Sequence, residues 1–167
     1  WSADKFKAAG LLKLGEGWGQ SLTTENGTIG HNIIGLLPGS AKVHPDRYII
    51  VGAHYDHLGM AGKRLYPGAD ANASGVVAMT SVAEMLSITR SIGRSYNCNI
   101  IFAAFDAKEM NMEGSKRLWE AIAAGELTDP VSGNPITRNK IVFMVNIDQI
   151  GSSLAPLNKE RKDYMIM

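Results

Sequence analysis

The chain has 167 residues, a size that suits one domain, and it is read here as a single unit over 1–167. A hydrophobic fraction of 45% and a charged fraction of 20% provide for a packed core and argue against intrinsic disorder. The formal charge of +1 is too balanced to point to nucleic acid or an anionic membrane as partner, and no apolar run reaches the roughly 20 residues that span a bilayer.

The first residue is Trp1, and no signal-peptide pattern follows, so the expectation is a chain whose targeting information has been removed. "NIIGLLPG" (32–39) predicts a short strand closed by a Pro-Gly turn. "RYIIVGAHY" (47–55) is a nearly continuous apolar run, the pattern of a strand buried on both faces. "PGADANASG" (67–75) is small and polar and predicts a loop. From Ser74 to about Ile92, Met79, Val82, Ala83 and Leu86 recur at helical spacing. Cys98, the only cysteine, has no internal disulfide partner and lies beside an apolar run, which predicts a buried thiol. "NIIFAAF" (99–105) is a second buried strand. A helix is expected from about Glu113 to Ala124, with Leu118, Trp119 and Ile122 on one side. Two prolines and two glycines make 125–139 a surface loop, and "KIVFMVNID" (140–148) is a third run of the buried-strand type.

Buried strands alternating with helices imply a sheet covered on both faces, and ligands in such folds gather at the carboxyl ends of the strands. Here those ends carry His54 and Asp56, then Asp106, Lys108 and Glu109, then Asp148. Imidazole and carboxylate groups at one sheet edge are the donors that hold zinc. In an extended strand His54 and Asp56 point together while Tyr55 and His57 point away, which suits a metal-binding imidazole and its orienting partner. Each residue also has a plainer reading. His54 could be satisfied by a backbone carbonyl, Asp148 could cap a turn, and Glu109 could be an exposed residue at a helix entry.

The stretches "HNIIGLLPGS" (31–40), "VGAHYDHLG" (51–59), "PGADANASG" (67–75), "FAAFDAKEMNMEGS" (102–115) and "VNIDQIG" (145–151) together resemble the zinc-dependent aminopeptidases related to bacterial leucyl aminopeptidase, glutamate carboxypeptidase and glutaminyl cyclase. The resemblance covers about 29–151. It implies an α/β fold, a three-layer α/β/α sandwich with a mixed, mostly parallel central sheet, whose C-terminal part is absent from this chain. It implies two zinc ions bridged by an aspartate and a water, a glutamate as base, a peptide with a free amino terminus as substrate, and a secreted or periplasmic location. By resemblance His54 and Asp148 are ligands of one metal, Glu109 is a ligand of the other, and Asp56 orients His54.

Three departures follow. The bridging aspartate of the family is Ala71 here, and the base is Lys108. The last histidine ligand is missing, because none of the four histidines lies beyond His57. The first two changes make the site three charges more positive. At about 4 Å and an effective dielectric of about 20, one pair of unit charges interacts by about 4 kcal/mol, so an ammonium there opposes bound zinc. Lysine is normally protonated, with a pKa near 10.4, and serves as a base only if burial or a metal depresses it. The expectation is therefore a peptidase-type domain with impaired or lost hydrolysis, binding at most one zinc or none. Lys108 would be paired with Glu109, Asp70 or Asp148. One alternative is a binding or structural module, whose protein partner the sequence does not name. Another is a single-zinc hydrolase using His54, Asp70 and Asp148. "DYMIM" (163–167) begins to look like a further strand, and an early chain end would leave an open sheet edge prone to self-association.

Overall fold

Seven consecutive buried residues, Asn99–Phe105, form the strand around which the rest is arranged. The structure is a computed structural model and describes residues 1–15, 17–39 and 45–151. In chain order its elements are α1 (Ser2–Ala8), β1 (Leu12–Lys13), β2 (Gly19–Thr23), β3 (Ile29–Leu37), β4 (Tyr48–His54), β5 (Gly59–Ala61), β6 (Arg64–Tyr66), α2 (Gly75–Ser91), β7 (Asn99–Phe105), α3 (Glu113–Ala124) and β8 (Ile141–Asn146). An irregular helical turn, Ala69–Ser74, leads into α2, and a short tight turn, Arg138–Lys140, precedes β8. The predicted "DYMIM" strand lies outside the described residues.

The main sheet is mixed. Its order is β1-β3-β7-β4-β8, with β2 also paired to β3, while β5 and β6 form a separate hairpin. β7 and β8 both run parallel to β4, and β3 runs antiparallel to β7. Alternation along β7 divides the core into two layers. Ile101, Ala103 and Phe105 pack with Leu118, Ala121 and Ile122 of α3. Ile100, Phe102 and Ala104 pack with Phe6 and Ala9 on one side and with Val76, Met79 and Ala83 of α2. A strand covered on both faces needs apolar residues at every position, which is why periodicity alone reads as a continuous run. The result is a three-layer α/β/α sandwich around a mixed sheet, as expected from the sequence.

Four local expectations change. β8 was read as a buried strand, but among the described residues it pairs only with β4, and Val142, Phe143, Met144 and Val145 are exposed. Trp119 is 44% exposed beside buried Leu118 and Ile122, and the Arg138 guanidinium lies over its ring, 5.0 Å from the ring centre. Cys98 is partly exposed rather than buried, since it precedes the covered strand. The loop 125–139 is not wholly at the surface. Leu127, Asp129 and Ile136 are buried, and a bridge joins Thr128 to Pro135.

Asp129 anchors that loop. Its Oδ1 accepts the backbone N–H groups of Val131 and Ser132, and its Oδ2 accepts the hydroxyl of Tyr48, the first residue of β4. Both side chains are fully buried. Burial, and then the Asp129 carboxylate, raise the pKa of the Tyr48 phenol well above its ordinary value. Tyr48→Phe takes one donor from a buried carboxylate and should cost about 1–3 kcal/mol in urea unfolding. The fold needs the neutral phenol, so this contribution is complete below about pH 10 and is lost as pH rises above it. The variant should therefore show a shallower alkaline loss of stability than the parent.

Candidate functional site

Parallel pairing brings the carboxyl ends of β4, β7 and β8 to one edge. In register, His54 faces Phe105 and Gly52 faces Asn146. Two residues further along each chain, Asp148 therefore arrives beside His54. The His54 Nε2 and Asp148 Oδ1 atoms are 3.3 Å apart, and the imidazole is only 3% exposed. On its other side His54 Nδ1 lies 3.0 Å from the Asp56 carbonyl oxygen and 3.5 Å from Asp56 Oδ1. The backbone carbonyl and the carboxylate thus both face the ring. The H-x-D spacing marked a real neighbour, but the nearer contact is the main chain.

A tight turn follows β7, with left-handed backbone at Ala107, Asn111 and Met112. Asp106 is occupied in holding it, with Oδ1 accepting the Ala107 N–H and Oδ2 accepting the His31 N–H. Asp56 Oδ2 accepts the Glu109 N–H at 3.0 Å, so Asp56 fixes the turn as well as facing His54. Lys108 Nζ donates to Glu109 Oε1 at 3.1 Å. This bond is the largest influence on Lys108 and raises its pKa; burial opposes it, and the charges of Glu109, Asp148 and Asp56 add to it. That direction is the reverse of what a general base at this position would need. His57, expected to point away, has Nδ1 4.0 Å from Glu109 Oε1, because the chain leaves the extended strand after His54. Asp56 Oδ1 and His57 Nδ1 are buried atoms without hydrogen-bond partners among the described residues.

The loop 67–75 holds the β8 end. Asn72 is 1% exposed; its Nδ2 donates to the Ile147 carbonyl at 2.8 Å, and its Oδ1 accepts the N–H groups of Gly75 and Gln149. Asp70 Oδ1 accepts the Gly151 N–H at 2.7 Å and lies 3.3 Å from Ser74 Oγ. Residues on both sides of Asp148 are thereby tied down. A side chain at position 75 would meet the Asn72 amide and the Ile147 carbonyl, so only glycine fits this approach. Ala71 presents a methyl group where the family resemblance has the bridging carboxylate. Sequence reasoning missed the part played by Asn72, although an asparagine among small residues before a helix is a recognisable clamp signal.

A cavity of about 280 Å³ opens beside these groups, lined by His54, Phe105, Lys108, Met112, Met144 and Asp148 among others. The candidate metal positions, expected at two neighbouring ions, make the following contacts. His54 and Asp148 meet, Glu109 faces Lys108 and His57, and Asp70 faces the Gly151 amide. Among the described residues, no group of three or more His, Cys, Asp or Glu side chains is placed to hold a metal ion. Asn72→Ala leaves buried backbone groups unpaired and should cost at least about 2 kcal/mol. Amide exchange should then accelerate at Gln149 before it does in β7, which a peptide-resolved exchange measurement would read.

Comparison with known proteins follows the same outline. The profile of Peptidase family M28 matches residues 32–163. BOS complex subunit ncln of Danio rerio is 29% identical over 106 residues, which is 63% of this chain and 17% of that protein. An aminopeptidase from Aneurinibacillus sp. strain AM-1 superimposes with a TM-score of 0.54 at 25% identity, covering 74% of this chain and 25% of its own. A glutaminyl cyclase from an Acidobacteriales bacterium gives a TM-score of 0.62 at 19% identity, with 90% of this chain and 48% of that one covered. A Zn-dependent exopeptidase from Parabacteroides distasonis gives 0.60 at 19%, with 90% and 51% covered. The chain thus spans about half or less of the length of each of these relatives.

Proposed function

The chain belongs to peptidase family M28, and from that premise we propose that it is a metallo-exopeptidase-like domain whose cleft binds rather than hydrolyses. The observation that carries this reading is the Lys108–Glu109 ion pair at the corner where the family resemblance puts the catalytic acid. An ammonium 3.1 Å from Glu109 neutralises a carboxylate that would otherwise face a metal. Both side chains are about a third exposed or less, so solvent weakens their attraction without removing it. Its energy is less important here than its sign, because a cation now stands where two divalent ions would need negative charge.

The residues present do not fit a pair of zinc ions. Ala71 offers no donor, Glu109 is bonded to an ammonium, and the Oδ1 of Asp70 accepts the Gly151 amide. His54 and Asp148 remain as a two-donor set, 3.3 Å apart. That contact favours a second reading, a single-zinc hydrolase in which Asp70 leaves Gly151 and becomes the third ligand. In either reading the cleft would receive a peptide with a free amino terminus, as the aminopeptidase relatives suggest, and the domain would work outside the cytoplasm. Among the described residues no helix is long and apolar enough to cross a membrane.

Zinc retention separates the two. After zinc loading and dialysis against a weak chelator, the folded wild-type protein should keep well under one ion per chain. It should release no amino-terminal residue from a chromogenic peptide. Ala71→Asp combined with Lys108→Glu restores two carboxylates and removes the ammonium, and should raise zinc affinity by at least tenfold. One or more ions firmly held by the unaltered chain would overturn the non-catalytic reading in favour of the single-zinc one.

A further inference from the structure

The sequence contains two triplets of the form Asn-x-Ser/Thr, Asn26-Gly27-Thr28 and Asn72-Ala73-Ser74. Such a triplet is the acceptor for an N-linked glycan when the asparagine amide is reachable. The fold treats the two in opposite ways.

Asn26 is exposed at the tip of the β2–β3 hairpin, in the turn closed by the Thr24 N–H to Thr28 carbonyl bond. Its Oδ1 accepts the Thr24 hydroxyl at 2.6 Å and the Thr28 N–H at 3.1 Å. Those two bonds fix the side-chain carbonyl toward the chain and polarise the amide. The Nδ2 atom has no hydrogen bond among the described residues, so attaching a sugar there breaks none of them. Asn72 is the reverse case. It is 1% exposed, and its Nδ2 is spent on the Ile147 carbonyl. A sugar on that nitrogen would have to displace the loop that carries Asp148.

We propose that Asn26 is an acceptor site for an N-linked glycan and that Asn72 is excluded from this role in the folded protein. The proposal rests on the extracytoplasmic reading above, since the donor, a lipid-pyrophosphate-linked oligosaccharide, and its membrane transferase act there. In the transfer, Asn26 Nδ2 forms a bond to the anomeric carbon of the first sugar. The bond from that carbon to the pyrophosphate oxygen breaks, the lipid pyrophosphate leaves, and Nδ2 gives up one proton to the transferase. No oxidation or reduction occurs. β3 runs antiparallel to β7, so the hairpin at its start projects beyond the β7 end, on the same sheet edge as the cleft. A glycan at Asn26 would stand at that edge without entering the core.

The full chain, fused to a secretion signal, would be expressed in a eukaryotic host, and peptides of the folded product mapped before and after an amide-cleaving glycosidase. The enzyme leaves aspartate at every site that bore a glycan. The expected result is conversion at position 26 and none at position 72. Thr28→Ala, a change at an exposed turn position, should abolish the conversion while leaving the urea midpoint unchanged. Material retained in the lumen would be mapped in the same way, so poor secretion still gives a result. An unmodified Asn26 in folded protein, or a glycan on Asn72 in folded protein, would overturn the proposal. Fractionation of the native host tests the extracytoplasmic reading separately, because the secreted-host experiment reports only the acceptor geometry.

Discussion

The parallel pairing of β4 with β7 and β8 is the constraint on which the rest depends. It puts the carboxyl ends of three strands at one sheet edge, and His54, Phe105, Asn146 and Asp148 line the cleft from those ends. The pairing in turn needs β7 to be covered on both faces, by α3 on one and by α1 and α2 on the other. A sheet covered on both sides leaves its strand ends as the accessible polar surface, and there backbone groups must find side-chain partners. Asp56, Asp70, Asn72 and Asp106 all act in this way.

This accounting changes how the acidic residues are understood. A carboxylate at a strand end can satisfy loop amides, face a ligand, or share its lone pairs between the two. Asp106 and Asp70 each direct oxygens at main-chain N–H groups. Asp148 is the carboxylate brought to the buried imidazole, and Glu109 is the one brought to the ammonium. The His54–Asp148 contact and the Lys108–Glu109 ion pair thus stand as two separate charge pairings at this sheet edge.

The sandwich was legible because its strands are unbroken apolar runs and its helices carry apolar residues at helical spacing. The α2 face through Met79 and Ala83 and the α3 face through Leu118 and Ile122 are buried as that spacing requires. The reading went astray where burial depends on partners far along the chain. β8 has the composition of a central strand, yet among the described residues it is paired on one side only. Trp119 is apolar at a plausible core spacing, yet it lies in the surface layer against Arg138. Of the candidate site, the meeting of His54 and Asp148 lay within reach of strand-end reasoning. The meeting of His57 with Glu109 did not, because alternation fails once a strand ends.

By itself the sequence determined the two-sided burial of the central strands and the group of polar residues at their ends. These are local properties, set by side-chain chemistry and by periods of two and 3.6 residues. Only the tertiary structure decided which oxygen faces which donor. It assigned Asp70 to Gly151, Asn72 to both sides of Asp148, and Asp148 to His54. It also separated two identical-looking glycan triplets, leaving the Asn26 amide in solvent and committing that of Asn72 to Ile147. The physical reason is that hydrogen-bond satisfaction in a buried loop is settled between segments some 75 to 94 residues apart, and no local pattern carries that information.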